Sequence, residues 1–415
     1  MPELKLLFLQ MAVVLAAAKL LGAACRLIRQ PEVVGEMAAG ILLGPSLLGH
    51  VAPGVMNGIF PASGMGPLYA LSQVGLVLFM FVVGLEVRPG ELRKSARAVV
   101  VASQASIVAP FICGVVVALG VYGRLGSGAP RLPFALFLGA AMGITAFPVL
   151  ARILADSGLM HTRVGQIALS CAAVDDVSAW CLLAVITVIA RPHTSGGASG
   201  GALPLRFLGL GAYVAAMLFV VRPILRRVLP PSERPGPGRF AAVMILLLVS
   251  VWTTEALAVH ALFGAFLAGV VMPGGGLLEA GLRERIESIT VAMLLPLFFA
   301  YNGLRTSVTL LDSAELWALC GLVVVVAIGS KLLVSAVTIR ASGMSWRESL
   351  AVGVLVNTRG LVELVILNVG LDLHILSPTL FSMMVIMALA TTVMTSPLLD
   401  WIYPERLRSQ AAVLS

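Results

Sequence analysis

The chain is a succession of apolar runs of about 20 residues, the length a helix needs to cross the hydrocarbon core of a bilayer. A backbone in lipid must satisfy its own N–H and C=O groups, and only helices or closed barrels do so; runs of this length select helices. About thirteen such runs are recognisable, among them 4–24, 31–49, 132–155, 162–190, 258–272, 314–338, 348–370 and 378–402, which predicts an all-α integral membrane protein. Only 12% of the residues are charged, against about 25% in an ordinary globular chain. That deficit excludes a soluble enzyme and a disordered chain, and no basic patch on a soluble face is available for a nucleic-acid partner. The run 4–24 is too long for a signal-peptide core and lacks a basic leader, so it is expected to stay as the first span.

The net charge of +8 is informative only by location. Basic residues favour the loops on the C-terminal side by roughly three to one, which with an odd number of spans places the N-terminus outside and the C-terminus in the cytoplasm of a cell membrane. Arg191 to Pro204 reads as a Gly/Ser-rich outer linker, and Pro230 to Gly238 (PPSERPGPG) as a Pro-rich inner one. Six spans precede the seventh and six follow it, the arithmetic of two inverted six-helix repeats. Cys25, Cys113, Cys171, Cys181 and Cys320 all sit in apolar sequence without metal-ligand spacing and read as core residues; no cofactor is expected.

Within 162–190 the run CAAVDDVSAW places Asp175 and Asp176 in mid-span, where an ionised side chain costs at least about 2.5–3.5 kcal/mol. Successive helix positions point about 100° apart, so the two carboxylates face different neighbours and take separate roles. Lys331, in AIGSKLLVSA, is an available counter-charge; the alternative is that it snorkels towards the span end marked by Arg340. The span 132–155 contains GITAFPVLARI, with Gly143, Thr145 and Pro148, and 348–370 contains VNTRGLVELVI, with Asn357, Thr358, Arg359 and Gly360. Helix breakers at corresponding places in two halves point to a transport site, because unwound backbone and half-helix ends supply partial charges to an ion. Arg359 and Glu363, at i and i+4, are placed to pair and to offset those ends.

The residues PEVVGEMAAGILLGPSLLG (31–49), GLVLFMFVVGLEV (75–87), TAFPVLARIL (145–154), AAVDDVSAW (172–180), HALFGAFLAGVVMP (260–273), LPLFFAYNGLRT (295–306) and NTRGLVELVILNVG (357–370) resemble the monovalent cation:proton antiporter-2 family over nearly the whole chain. TAFPVLARIL and NTRGLVEL are similar to the plant cation/H+ exchangers and their bacterial relatives. The resemblance implies a homodimer whose protomers each have a dimerisation part, here 1–96 and 203–304, and a core part, 97–190 and 314–402, with two crossed, broken helices. It implies that Asp176 binds the cation and carries the proton, that Asp175 partners Lys331, and that Thr145 lies in the crossover. Arg359 and Glu363 match charged positions of the other broken helix, with Asn357, Thr358 and Pro148 supporting the breaks. Many members that exchange charges evenly have Asn or Gln at the first acidic position; Asp175 here implies electrogenic exchange. The glutathione-gated potassium efflux members have a C-terminal nucleotide-binding domain, and no attached domain of that kind is expected here.

The function this predicts is exchange of a monovalent cation, Na+, K+ or Li+, for protons, by competition for one carboxylate in a core that moves only when neutralised. A sodium-coupled organic-solute symporter and a gated cation channel are the alternatives. An intramembrane aspartyl protease needs its carboxylates on separate helices, and no GxGD occurs. Neither a P-loop nor HExxH is present, and LGLGAY (208–213) lacks the strand a dinucleotide site needs, so no enzyme is expected.

Overall fold

The computed structural model describes residues 2–28, 30–86, 97–126, 128–160, 162–194, 202–257 and 259–404, and every regular element among them is helical. Among the described residues ten helices are long and apolar enough to cross a membrane, against about thirteen runs expected. The expected runs 132–155, 258–272 and 348–370 are the exceptions. The second contracts to the short helix Ala261–Val270, and the other two are each divided by a break.

The chain clusters into two compact units. One comprises 1–15, 60–93 and 180–301. In it the Ser250 hydroxyl donates to the Gly264 carbonyl at 2.6 Å, tying Pro237–Ala256 to Ala261–Val270, and Tyr69 and Tyr301 pack ring against ring at 5.5 Å. The other unit comprises 16–59, 94–179 and 302–415; it takes in 16–59, which the sequence reading groups with the dimerisation part.

Eight helices form the two breaks and their surroundings. They are α1 (Arg97–Leu125), α2 (Arg131–Gly143), α3 (Phe147–Asp156), α4 (Arg163–Thr194), α5 (Ala314–Ala341), α6 (Trp346–Val356), α7 (Leu361–Asp372) and α8 (Pro378–Ile402). Helix α2 stops at Gly143 because Ile144 is extended (φ −90°, ψ 145°), and α3 restarts with Pro148 in its first turn, where a missing N–H leaves no bond unmade. The start of α6 is fixed by a capping box: the Ser345 hydroxyl accepts from the Glu348 N–H while the Glu348 carboxylate accepts from the Ser345 N–H. It runs to Val356, and the chain resumes as α7 at Leu361.

Packing holds α2 and α5 against α1, and α5 also packs on α6 and α8. Helices α1 and α2 approach so closely that a Cβ on Gly114 would stand 2.8 Å from the Gly139 Cα, so glycine is required there. The outward side of α5 carries Leu322, Val325, Leu333 and Val337, all exposed, as lipid-facing positions should be.

Candidate functional site

Helix α4 runs unbroken through Asp175 and Asp176, and both side chains are buried, 0% and 2% exposed. Around Asp175 the surroundings are specific. Its Oδ1 accepts from Ser103, its Oδ2 accepts from Ser106 at 3.1 Å and from Thr145 at 2.6 Å, and Lys331 Nζ lies 3.6 Å from Oδ2. Lys331 is itself fully buried and points inward instead of snorkelling. Asp176 stands one position on, about 100° further round the helix.

The two breaks meet each other. The Ala146 N–H donates to the Thr358 carbonyl at 2.9 Å, and Thr145 Oγ1 lies 2.9 Å from the Val356 carbonyl. That hydroxyl has one proton and two acceptors in range, Asp175 and Val356, so it links the carboxylate of α4 to the break after α6. A Cβ on Gly360 would come within 3.0 Å of Val149 Cγ2, so the crossing is as close as side chains permit.

Ending α2 inside the unit exposes the carbonyls of its last turn, and three of them are met by cations. Arg359 donates from its two terminal nitrogens to the Ala141 carbonyl at 2.8 Å and the Met142 carbonyl at 2.6 Å, while Lys331 donates to the Gly143 carbonyl at 2.5 Å and to that of Ser106 at 3.2 Å. The negative end of the half-helix dipole is thus held by two buried positive charges. Thr392 of α8 fixes the Arg359 backbone, accepting from its N–H at 3.3 Å and donating to its carbonyl at 2.6 Å.

The expected Arg359–Glu363 pair is a contact at 3.9 Å without a hydrogen bond; the direct bonds of the guanidinium go to α2. Among the described residues the Glu363 carboxylate has no hydrogen-bond partner, nor has the side chain of Asn357, which is completely buried. Thr358 donates to the Leu355 carbonyl at 2.6 Å. The side chain of Pro148 lies outside the described residues. Sequence reasoning does not single out Ser103, Ser106 or Thr392. The serines left a signal, a polar pair at i and i+3 in the apolar run VASQASIVAP, whereas nothing distinguishes Thr392 from the other threonines of α8.

On α4, α5 and α7 the buried charged side chains among the described residues are Asp175, Asp176, Lys331 and Glu363, and Arg359 lies in the second break. Three acids face two bases. With every group ionised these five side chains sum to −1, and one proton or one monovalent cation brings the sum to zero.

Residues 12–401 match the family model described as sodium/hydrogen exchanger, transmembrane. The chain is 42% identical over 406 residues to the Na(+)/H(+) antiporter NhaS4 of Synechocystis sp., covering 97% of this chain and 98% of that one. It is 38% identical over 407 residues to Cation/H(+) antiporter 17 of Arabidopsis thaliana, covering 96% of this chain but spanning only 48% of that relative. The sodium proton antiporter MjNhaP1 of Methanocaldococcus jannaschii has the same fold, with a TM-score of 0.65 over 96% of both chains at 14% identity. This multi-pass membrane protein belongs to the sodium/hydrogen exchanger family of transporters.

Proposed function

We propose that the chain exchanges a monovalent cation for protons across a cell membrane by alternating access, and performs no enzymatic chemistry. The observation that carries this reading is the charge count: three buried carboxylates against two buried cations where two broken helices cross. Asp176 is the carboxylate that alternates between proton and cation. Asp175 is held by Ser103, Ser106, Thr145 and Lys331, and keeps the lysine ammonium in register with α2. Because proton and cation compete for the Asp176 carboxylate, they exclude one another, and a core that reorients only when Asp176 itself is neutralised couples their fluxes. The reorienting part is 97–190 and 314–402, which contains both breaks and the five charges counted above, and 1–96 with 203–304 forms the scaffold of a homodimer.

Lys331 gives the exchange an electrical sense. When a cation draws Asp175 towards Asp176, the ammonium loses its partner and releases a proton, so two protons move per cation. One net charge is worth about 2.3 kcal/mol per 100 mV, so an inside-negative potential drives protons in and the cation out. The N-terminus is outside and the C-terminus cytoplasmic. Na+ and K+ are the leading cations and Li+ the third; NhaS4 is named for sodium and the Arabidopsis relative for cations in general.

The test is proton flux in proteoliposomes, read with a pH-sensitive dye on adding NaCl, KCl or LiCl, for wild type and Asp176→Asn. A cation-evoked pH change abolished by the substitution is expected. No response to any of the three salts from folded, inserted protein would remove the antiport reading in favour of a solute symporter or a channel.

A further inference from the structure

We infer that the side-chain carbonyl of Asn357 is a ligand of the transported cation and sets which monovalent cation is preferred. This rests on the cation/proton exchange proposed above. Most neutral and cationic side chains at the crossing are already committed. Thr145 is engaged with Asp175 and Val356, Thr358 with Leu355, Arg359 with Ala141 and Met142, and Thr392 with the Arg359 backbone. Asn357 is as deeply buried as any of them, yet neither its Oδ1 nor its Nδ2 has a hydrogen-bond partner among the described residues. A carboxamide offers two donors and an acceptor oxygen with two lone pairs, and buried polar groups in native proteins are satisfied by protein, water or ligand.

Its place in the chain is equally specific. Asn357 sits between Val356, whose carbonyl faces Thr145, and Thr358, whose carbonyl accepts from Ala146, so it belongs to the peptide segment that joins the two breaks. Helix capping does not account for it. The backbone N–H of Asn357 closes α6 by donating to Gly353 at 3.1 Å, and the side chain bonds no carbonyl of that helix.

The chemistry fits a selectivity ligand. Monovalent alkali cations take oxygen ligands, and their discrimination depends on the number and placement of neutral carbonyl dipoles. A carboxamide oxygen adds such a dipole without altering the balance of three acids against two bases, so it tunes the cation while leaving proton competition to Asp176.

The experiment measures exchange in proteoliposomes against NaCl, KCl and LiCl at fixed pH, together with the rise in unfolding temperature that each salt gives the purified protein. Asn357→Leu removes the oxygen at similar volume; it is expected to fold, to raise the half-saturating concentration of the preferred cation tenfold or more, and to lose most of the salt-induced stabilisation. Asn357→Ser keeps an oxygen on a shorter arm and is expected to change the order of preference among the three cations; it decides the question alone if Asn357→Leu does not fold. Unchanged half-saturation and unchanged preference in a wild type that exchanges normally would overturn the inference and leave antiport standing. A wild type that exchanges none of the three removes both.

Discussion

Lys331 Nζ lies 2.5 Å from the Gly143 carbonyl and 3.6 Å from the nearest Asp175 oxygen, so its shortest contact is with the end of a helix and not with its ion-pair partner. One ammonium therefore answers two negative features, the carboxylate of α4 and the dipole end of α2. Lys331→Gln keeps an N–H donor for Gly143 but removes the charge. Because breaking a buried pair from one side costs about 3–5 kcal/mol, Lys331→Ala is expected to fall in that range and Lys331→Gln clearly below it, as measured by thermal unfolding. In transport, Lys331→Gln should still exchange cation for proton but lose its dependence on membrane voltage. Unchanged voltage dependence would sink the two-proton scheme.

Arg359 presents the same logic with a different geometry. Its fork meets two successive carbonyls of α2, and Glu363 stands behind it at 3.9 Å. Hydrogen bonds from a charged donor are worth about 1.5–3 kcal/mol each, so Arg359→Lys, which reaches one carbonyl but not both, should lose about that much stability. Arg359→Gln strands the Glu363 carboxylate as well. The double variant Arg359→Gln/Glu363→Gln should therefore unfold at a higher temperature than Arg359→Gln alone. Additive losses would mean that the two side chains do not share a charge balance.

Thr145 tests how Asp175 is held. Thr145→Val keeps the shape and removes a hydroxyl that serves Asp175 at 2.6 Å and Val356 at 2.9 Å, whereas Ser103→Ala leaves Asp175 with Ser106, Thr145 and Lys331. Each removes a hydrogen bond to a charged group and should cost about 1.5–3 kcal/mol, but the first should also slow exchange while the second changes the rate little. Initial rates of cation-evoked pH change, set beside unfolding temperatures, separate the two. Equal rates for both variants would remove Thr145 from the link between α4 and the second break.

Where the sequence was legible, chemistry made it so. Mid-span aspartates are too costly to be incidental, and Pro148 and Gly360 mark the ends of runs that would otherwise continue as helix, so the carboxylates and both breaks could be found without coordinates. Ser103, Ser106 and Thr392 were not, because a hydroxyl in an apolar helix also satisfies itself on its own backbone, as Thr187 does with Leu183, and sequence does not reveal which way it turns. The partner of Arg359 was hidden for a related reason. Spacing of i to i+4 suggests Glu363, but the carbonyls it bonds lie more than 200 residues away on α2 and have no side-chain signature. Ten of the thirteen expected runs correspond to helices of membrane-crossing length among the described residues, and the other three differ because hydropathy does not see a break or a helix of only ten residues inside an apolar run.

The closeness of the crossing gives a final prediction. The surroundings of Gly360 leave little space for a side chain. A methyl group there meets Val149 Cγ2 at 3.0 Å and the Ala146 side chain at 3.6 Å. Overpacking of this kind typically costs about 1–3 kcal/mol, and Gly360→Ala should lower the unfolding temperature accordingly. Val149→Ala removes the obstructing methyls at the price of a small cavity. In the double variant the alanine at 360 fills the space that Val149 vacates, so the two losses should cancel in part and the pair should be more stable than the sum of the singles requires. A double-mutant cycle on unfolding temperature and exchange rate measures this directly. If Val149→Ala restores neither, the strain of Gly360→Ala resides in the backbone between α6 and α7, and the two broken helices are not in contact through these two residues.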